Sequence, residues 1–174
     1  PSSFTISEVE TNGQVNCEDQ ASASSITLPT VTDACGDTLT AEGPTVESNI
    51  TNCTGTKTFT YTYQNCAGDN TTWNYTYTIV PQTVTPPSPV TVEISCLADT
   101  AIHPINAPVI ENDCQVMATL TGIERNSNVG EDNAGEIIHI YTYDLCGETI
   151  VWQHIYQISP DAFTPIQNGN LNIS

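Results

Sequence analysis

Seven cysteines are the residues of this chain whose type and spacing point most clearly to a chemistry. They are Cys17, Cys35, Cys53, Cys66, Cys96, Cys114 and Cys146, and no two of them form a Cys-X-X-Cys pair. Zinc sites commonly draw ligands from such close pairs, so the spacing favours disulfide bonds over metal coordination. The cysteines therefore predict that the protein works in an oxidising compartment, outside the cell.

The cysteines recur along the chain with a nearly fixed period. Most of those in the first half, and one tryptophan, have a counterpart 79 or 80 residues later. The matched pairs are Cys17 and Cys96, Cys35 and Cys114, Cys66 and Cys146, and Trp73 and Trp152. This duplication predicts two tandem repeats at 1–81 and 82–160, with a proline-rich joint at 82–92 and the start of a third repeat at 161–174.

Alternation of side chains predicts that each repeat is all-β. In "TKTFTYTY" and "WNYTYTI", aromatic residues alternate with threonine or asparagine, as in half-buried strands. We expect the two segments to form the last hairpin of an Ig-like β-sandwich of about seven strands. Its core face would carry Phe59, Tyr61, Tyr63, Trp73, Tyr75, Tyr77 and Ile79. A sugar-stacking platform is the functional alternative for these aromatic residues, but core packing already accounts for them.

Strand geometry limits which cysteines can pair within a repeat. Cys53 and Cys66 bracket one extended strand, so their Cα atoms would lie about 40 Å apart, against the ~6 Å of a disulfide. In an Ig-like sandwich the loop after the second strand and the last hairpin loop lie at the same end, which pairs Cys35 with Cys66. Cys17 and Cys53 are then expected to pair at the opposite end. A competing scheme joins Cys17 to Cys35.

The second repeat has one cysteine fewer, because Asn133 occupies the position equivalent to Cys53. The first scheme keeps a Cys114–Cys146 bond there and leaves Cys96 as the unpaired thiol. The competing scheme would leave Cys146 unpaired instead.

Acidic residues dominate the charge of the chain. It has 20 Asp and Glu residues against two cations, Lys57 and Arg125, for a formal net charge of −18. Such a surface repels phosphate backbones and anionic membranes, which argues against nucleic acid as a partner. No apolar run approaches the roughly 18 residues of a spanning helix, so no membrane insertion is expected in this segment.

Acidic side chains near predicted loops raise the question of a calcium site. The candidates are Glu18, Asp19, Asp33, Asp37 and Asp69. They are scattered and no DxDxDG-type loop occurs, so solvated surface charge is the preferred interpretation.

Two histidines of the second repeat pose the other metal question. His139 and His154 share the core-facing parity of the last hairpin, and paired histidines can bind zinc. The first repeat has Phe59 and Tyr75 at these positions, so aromatic packing is predicted instead. We therefore expect no metal and no cofactor.

Motifs for catalysis are missing from the sequence. It contains no Gly-X-Ser-X-Gly, no His-Glu-X-X-His and no glycine-rich phosphate loop. No polar cluster is common to both copies. The chain is therefore predicted not to be an enzyme.

The motif set "DACG", "CTGTKTFTYTYQNCAGDNTTWNYTYTI" and a proline-rich joint resembles the Ig-like, HYR-related repeats of giant cell-surface proteins of Bacteroidota. The gliding adhesin SprB and its relatives are similar proteins, exported by the type IX secretion system. The resemblance implies a segment of an extended cell-surface filament that takes part in surface attachment or gliding. Implied partners are neighbouring repeats of the same chain, with surface polysaccharide or other cell-surface proteins as candidates.

The same resemblance implies O-glycosylation at Asp-Ser/Thr followed by an apolar residue. "DTL" and "DTA" match this pattern and nominate Thr38 and Thr100. Two other functions remain open at this point: a module that binds glycan or protein, and an accessory region of a secreted enzyme.

Overall fold

The computed structural model describes residues 3–81 and 83–161. Within them the chain forms β-strands, three short 3-10 helices and connecting turns. The strands are β1 (Thr5–Ile6), β2 (Asn12–Val15), β3 (Val31–Thr32), β4 (Thr38–Leu39), β5 (Glu42–Thr51), β6 (Thr54–Gln64), β7 (Asn70–Ile79), β8 (Val90–Ile94), β9 (Thr119–Val129), β10 (Gly135–Leu145) and β11 (Glu148–Ile158). The predicted start of a third repeat lies outside the described residues, apart from Asp161.

The chain divides into two compact units. The first comprises Pro1–Thr85, Ile110–Ala118 and Leu145–Glu148, and the second comprises Pro86–Val109, Thr119–Asp144 and Thr149–Ser174. Two short segments of the second repeat thus belong to the first unit. Both of these segments carry a cysteine.

The first unit contains two sheets. One has the strand order β2-β7-β6-β5, and the other has the order β1-β3-β4. Strand β2 pairs with β7 in parallel, whereas the other pairs in both sheets are antiparallel. These seven strands confirm the all-β sandwich that the sequence predicts for the first repeat.

The hairpin β6–β7 has the register and the faces that alternation predicts. Phe59 lies opposite Tyr75, and Tyr61 lies opposite Trp73. These side chains are buried together with Tyr63 and Tyr77. Threonines occupy the other face, where the hydroxyls of the opposite residues Thr58 and Thr76 lie 3.1 Å apart. The aromatic residues of the hairpin therefore build the core.

The second unit contains a sheet with the order β8-β11-β10-β9, in which β8 runs parallel to β11. Its core includes Ile94, Ile137, Tyr156 and Ile158. Among the described residues the second repeat has these four strands and one isolated bridge between Glu111 and Met117. That bridge stands where the first repeat pairs β3 with β4, so the smaller sheet is reduced to a single contact. The second repeat thus has fewer strands than the seven predicted.

The two histidines of the last hairpin take part in aromatic packing. The ring of His154 lies 4.7 Å from that of Tyr156 and 6.0 Å from that of Trp152, measured between centroids. His139 lies edge-on to Tyr156 at 6.0 Å. The predicted aromatic packing is confirmed, and its cause is that both positions face the core of the sheet.

Candidate functional site

Two disulfides join the two repeats. Cys17 bonds to Cys114 and Cys53 bonds to Cys146, across sequence separations of 97 and 93 residues. In each bond the Cα atoms lie 5.4 Å apart, close to the usual spacing of a disulfide. All four cysteines belong to the first compact unit. Each bond nevertheless connects a residue of the first repeat to a residue of the second.

This connectivity overturns the pairing predicted from the sequence. The predicted bonds Cys35–Cys66, Cys17–Cys53 and Cys114–Cys146 are wrong, and so is the competing bond Cys17–Cys35. All seven cysteines lie in the described ranges, and there Cys35, Cys66 and Cys96 are exposed and form no disulfide.

The predicted bonds do not form because each of the four bonded cysteines meets its partner in the other repeat. The loops of Cys114 and Cys146 do lie together, because the Asn112 side-chain amide reaches the Cys146 sulfur at 3.7 Å. Their sulfurs nevertheless bond to Cys17 and Cys53, where the Cα spacing of a disulfide is met between repeats. Proximity of two loops is not enough to pair their cysteines.

A capped turn positions Cys17. It precedes the 3-10 helix Glu18–Gln20, and the Gln20 side-chain oxygen accepts hydrogen bonds from the backbone N–H groups of Asn16 and Cys17 at 3.1 and 3.2 Å. The backbone N–H of Gln20 donates in return to the Cys17 carbonyl at 3.2 Å. These bonds satisfy donors that a helix start leaves free. Cys17 is buried as a result of this turn and its bond.

An asparagine-centred loop positions Cys114. The Asn112 side-chain oxygen accepts from the backbone N–H groups of Cys114 and Val116, both at 3.0 Å. Asn112 is buried, so these bonds are protected from water. The Cys114 sulfur lies 3.3 Å from the carbonyl oxygen of Asn16, beside its partner cysteine.

Two tight hairpin turns carry the second disulfide. Cys53 follows Asn52 in the turn between β5 and β6, and Cys146 precedes Gly147 in the turn between β10 and β11. All four have positive φ, at 50° for Asn52, 61° for Cys53, 57° for Cys146 and 83° for Gly147. Positive φ at both central residues is the mark of the type I′ hairpin turn. A Cβ added at Gly147 would lie 2.7 Å from the Asn52 side-chain nitrogen, so these turns are closely packed.

The space beside these disulfides is small. The cavity lined by Cys146 and Asn112 measures about 70 Å³, and the one lined by Cys17 and Cys53 about 100 Å³. Sites for small-molecule ligands usually start near 300 Å³. Neither of these two cavities reaches that volume, and the feature that the region does show is the cross-link itself.

The proposed O-glycosylation residues lie apart from this site. Thr38 is exposed at the start of β4 in the first unit. Thr100 lies in the 3-10 helix Leu97–Ala101 of the second unit, where its hydroxyl donates to the Leu97 carbonyl at 2.9 Å. Glycosylation at either threonine stays a prediction.

Two of the acidic candidates for a metal site have other contacts. Asp33 caps the Cys35 loop, and Glu18 lies 3.9 Å from the ammonium nitrogen of Lys57. Within the described ranges, no group of three or more His, Cys, Asp and Glu side chains is arranged to hold a metal ion.

A family model described as an HYR-like domain with four cysteines matches residues 5–79 and again residues 84–158. The chain belongs to this family. The tandem duplication expected from the cysteine period is thereby confirmed. No curated protein matches the chain. The HYR-like repeats, linked by disulfides, form an adhesion-type extracellular module. None of the helices in the described residues has the length and apolar character needed to cross a lipid bilayer.

Numbering the cysteine positions of each repeat from one to four in chain order shows which positions bond to each other in this chain. The first and third cysteines of the first repeat, Cys17 and Cys53, bond to the second and fourth positions of the next repeat, Cys114 and Cys146. Two cysteines that lie at the same end of a repeat therefore both bond to the same neighbouring repeat. The sequence analysis correctly placed Cys17 near Cys53 and Cys114 near Cys146. It was wrong in predicting a bond within each of these pairs and not between the pairs.

Proposed function

We propose that the chain is a structural and adhesive segment of a long cell-surface filament in Bacteroidota, secreted by the type IX system and acting in surface attachment or gliding. The observation that carries this proposal is the pair of disulfides between consecutive HYR-like repeats. Neighbouring repeats are then the first partners of each repeat. The segment acts without catalysing a reaction.

The disulfides change how the chain would respond to tension. A pull on the two ends passes from Cys17 directly to Cys114, so the segment between them bears little of the force. A filament that attaches a moving cell to a surface is under such tension. Covalent bonds between repeats keep the filament from lengthening when one repeat unfolds.

Single-molecule stretching of the oxidised and the reduced protein tests this proposal. Reduction should release the 97-residue separation between Cys17 and Cys114, which adds about 340 Å of extended chain at roughly 3.5 Å per residue. A protein lacking both bonds, Cys17→Ser with Cys53→Ser, should show the longer extension without reductant. Equal extension of the wild-type protein in both conditions would contradict the mechanical role.

Cell-surface display and export need their own test. Antibodies against the chain should label intact cells of the bacterium that encodes it, and labelling should be lost when type IX secretion is disabled. Deletion of the repeats should reduce attachment or gliding. Labelling that persists without type IX secretion would reject that route and leave the filament itself untouched.

A second candidate function, the binding of glycan or protein, is favoured by one cavity of the second unit. It measures about 340 Å³ and is lined by Arg125, His139, Tyr156 and Thr100 among others. Arg125 is one of only two cations in the chain, so an acidic surface polysaccharide is the ligand that this cavity suits. Binding on a glycan array that is lost in Arg125→Gln, and kept in Lys57→Gln, would favour this role over a passive stalk. An accessory role beside a secreted enzyme is the third and weakest alternative.

A further inference from the structure

We propose that Cys35 and Cys66 are a second docking site for an HYR-like repeat, and that they form disulfides with its first and third cysteines. Cys96 would in the same way bond to the second cysteine of a further repeat. The other repeat belongs to a longer chain or to a second copy of this one. This inference rests on the cysteine chemistry and is independent of the export route and of adhesion.

The loop of Cys35 is built in the same way as the loop of the bonded Cys114. The Asp33 side-chain oxygen accepts from the backbone N–H groups of Cys35 and Asp37 at 2.9 and 3.0 Å. Asn112 makes the same two bonds in the second repeat, both at 3.0 Å. The backbone bonds agree as well: Asp33 N–H donates to the Asp37 carbonyl, as Asn112 N–H donates to that of Val116. Cys35 is therefore presented as Cys114 is, but without its partner.

The turn of Cys96 repeats the turn of the bonded Cys17. Cys96 precedes a 3-10 helix, and its backbone N–H donates to the Asp99 side chain at 3.0 Å, as that of Cys17 donates to Gln20. The Asp99 N–H donates back to the Cys96 carbonyl at 3.0 Å. A hydrogen bond from the Cys96 side chain, and then the one from its backbone N–H, lower the pKa of the Asp99 carboxyl. Cys96 thus has the backbone setting of a cysteine that bonds to another repeat.

Cys66 occupies the fourth cysteine position, which Cys146 fills in the second repeat. It lies in the loop between β6 and β7, where the Asn65 side-chain oxygen accepts from the N–H groups of Ala67 and Asp69 at 3.0 and 2.9 Å. This loop is longer than the two-residue turn of Cys146 and leaves Cys66 exposed. Cys35 and Cys66 hence correspond to the two cysteines that both receive a bond in the second repeat.

Asn133 explains why the second repeat offers one thiol and not two. It stands where the first repeat has Cys53, and both residues have a φ of 61°. Because Cys53 adopts this backbone in the first repeat, a cysteine can adopt it at position 133, although asparagine tolerates it better. The junction that starts from Cys96 has one bond, whereas the junction between the two repeats described above has two.

The chemistry of each new bond is the oxidation of two thiols. Two S–H bonds break and one S–S bond forms, and two electrons and two protons pass to an oxidant. The oxidant is a disulfide, held by a thiol-oxidising protein or supplied as glutathione disulfide, and it is reduced to two thiols. An exposed thiol in an oxidising compartment is open to this exchange.

The test uses Cys96 of one copy against Cys35 of another. Copies of the protein labelled with ¹⁵N are mixed with unlabelled copies in a glutathione redox buffer, and disulfide-linked peptides are identified by mass spectrometry. We expect mixed-isotope bonds between Cys96 and Cys35, and their loss in Cys35→Ser. Bonds spread evenly over Cys35, Cys66 and Cys96, or a Cys35–Cys66 bond within one copy, would overturn the proposal.

A second experiment introduces a cysteine at position 133, where the second repeat lacks one. Cys96–Cys35 bonds alone should link copies into a ladder on a non-reducing gel, and in Asn133→Cys the introduced thiol should add a second bond to Cys66 at each junction. The second bond forms between two copies that the first bond already holds together, so it forms at a high effective concentration. The concentration of reductant needed to break the ladder should therefore rise by roughly 10²-fold or more. Cys66→Ser in the same background should return it to the single-bond value. No change on adding the thiol would refute the two-bond site.

A further experiment identifies which chain supplies the docking repeat. In protein isolated from cells without reduction, Cys35 and Cys66 should be linked to peptides of an HYR-like repeat. A partner peptide from outside this sequence assigns the site to a longer chain, and the Cys96 peptide assigns it to a second copy. Free or glutathione-capped Cys35 and Cys66 in that material would count against the proposal.

Discussion

The Cα atoms of Cys53 and Cys146 lie 5.4 Å apart across a disulfide, although 93 residues separate the two along the chain. Each cysteine has a left-handed backbone in a two-residue hairpin turn, with φ of 61° and 57°. That conformation costs an L-residue about 1 kcal/mol or more, and in both turns it places the sulfur within bonding distance of the other repeat. The turns present sulfur to another repeat, so Cys53 and Cys146 connect the two repeats of this chain.

The connectivity predicts which tryptic fragments stay linked. Trypsin can cut after Lys57 and Arg125, which gives three fragments, 1–57, 58–125 and 126–174. With free thiols alkylated and the protein unfolded in urea, Cys114→Ser should release fragment 58–125. Cys53→Ser should release fragment 126–174. Mass spectrometry of the unreduced digest identifies both.

The same digest distinguishes this connectivity from the one that the sequence predicts. If Cys35 bonded to Cys66 and Cys114 to Cys146, Cys114→Ser would release fragment 126–174 instead. Cys53→Ser would then release nothing. Cys96→Ser serves as the control, because both schemes expect it to leave the digest unchanged.

Two equivalent tyrosines should differ in what their hydroxyls contribute to stability. The Tyr143 hydroxyl donates to the Pro108 carbonyl at 3.1 Å, whereas the Tyr63 hydroxyl is buried without a hydrogen-bond partner among the described residues. Tyr143→Phe should therefore cost about 1 kcal/mol of unfolding free energy. Tyr63→Phe should be neutral or stabilising, because it removes a buried polar group that has no partner. Calorimetric melting of the two variants measures the difference, and an equal loss in both would contradict it.

Gly147 should tolerate a side chain less well than Gly68. Both have left-handed backbones, with φ of 83° and 86°, so alanine strains both by about 1 kcal/mol. At Gly147 the added Cβ would also meet the Asn52 side chain at 2.7 Å, whereas at Gly68 it would meet nothing within 4 Å. Gly147→Ala should lower the melting temperature more and slow re-formation of the Cys53–Cys146 bond. In an Asn52→Gly background the excess over Gly68→Ala should disappear.

His154 should make the second unit less stable in mild acid. Burial lowers the pKa of His154, and the neighbouring charge of His139 lowers it further. Histidine in the unfolded chain titrates near pH 6.5, so below that pH the unfolded state binds a proton that the folded state resists. Stability is thus full above about pH 6.5 and is lost as pH falls toward the lower folded pKa. Melting temperatures at pH 7.5 and 5.5 measure this loss.

The first repeat supplies the matched variant for this pH effect. Tyr75 stands at the position of His154, so His154→Tyr should remove part of the loss between pH 7.5 and 5.5. A loss that is identical in wild type and His154→Tyr would show that other groups cause it.

Local pattern was enough to predict the strands and their faces. Alternation placed Phe59, Tyr61 and Tyr63 on one face of β6, and the core uses that face, because neighbouring side chains on a strand must point to opposite sides. The offset between cysteines was enough to reveal the tandem duplication. Strand length separated Cys53 from Cys66, and the loop arrangement of an Ig-like sandwich then placed Cys17 with Cys53 at one end of the repeat.

The sequence by itself determined the β-architecture, the duplication, the acidic charge and the oxidising setting, since each depends on composition or on short-range order. The bonding partners of the cysteines were decided only by the tertiary structure. A disulfide requires two Cα atoms about 5.5 Å apart, and that distance arises where Cys17 and Cys53 meet loops nearly a hundred residues away. Nothing in the spacing of one repeat encodes such a meeting, because it depends on how a second repeat folds.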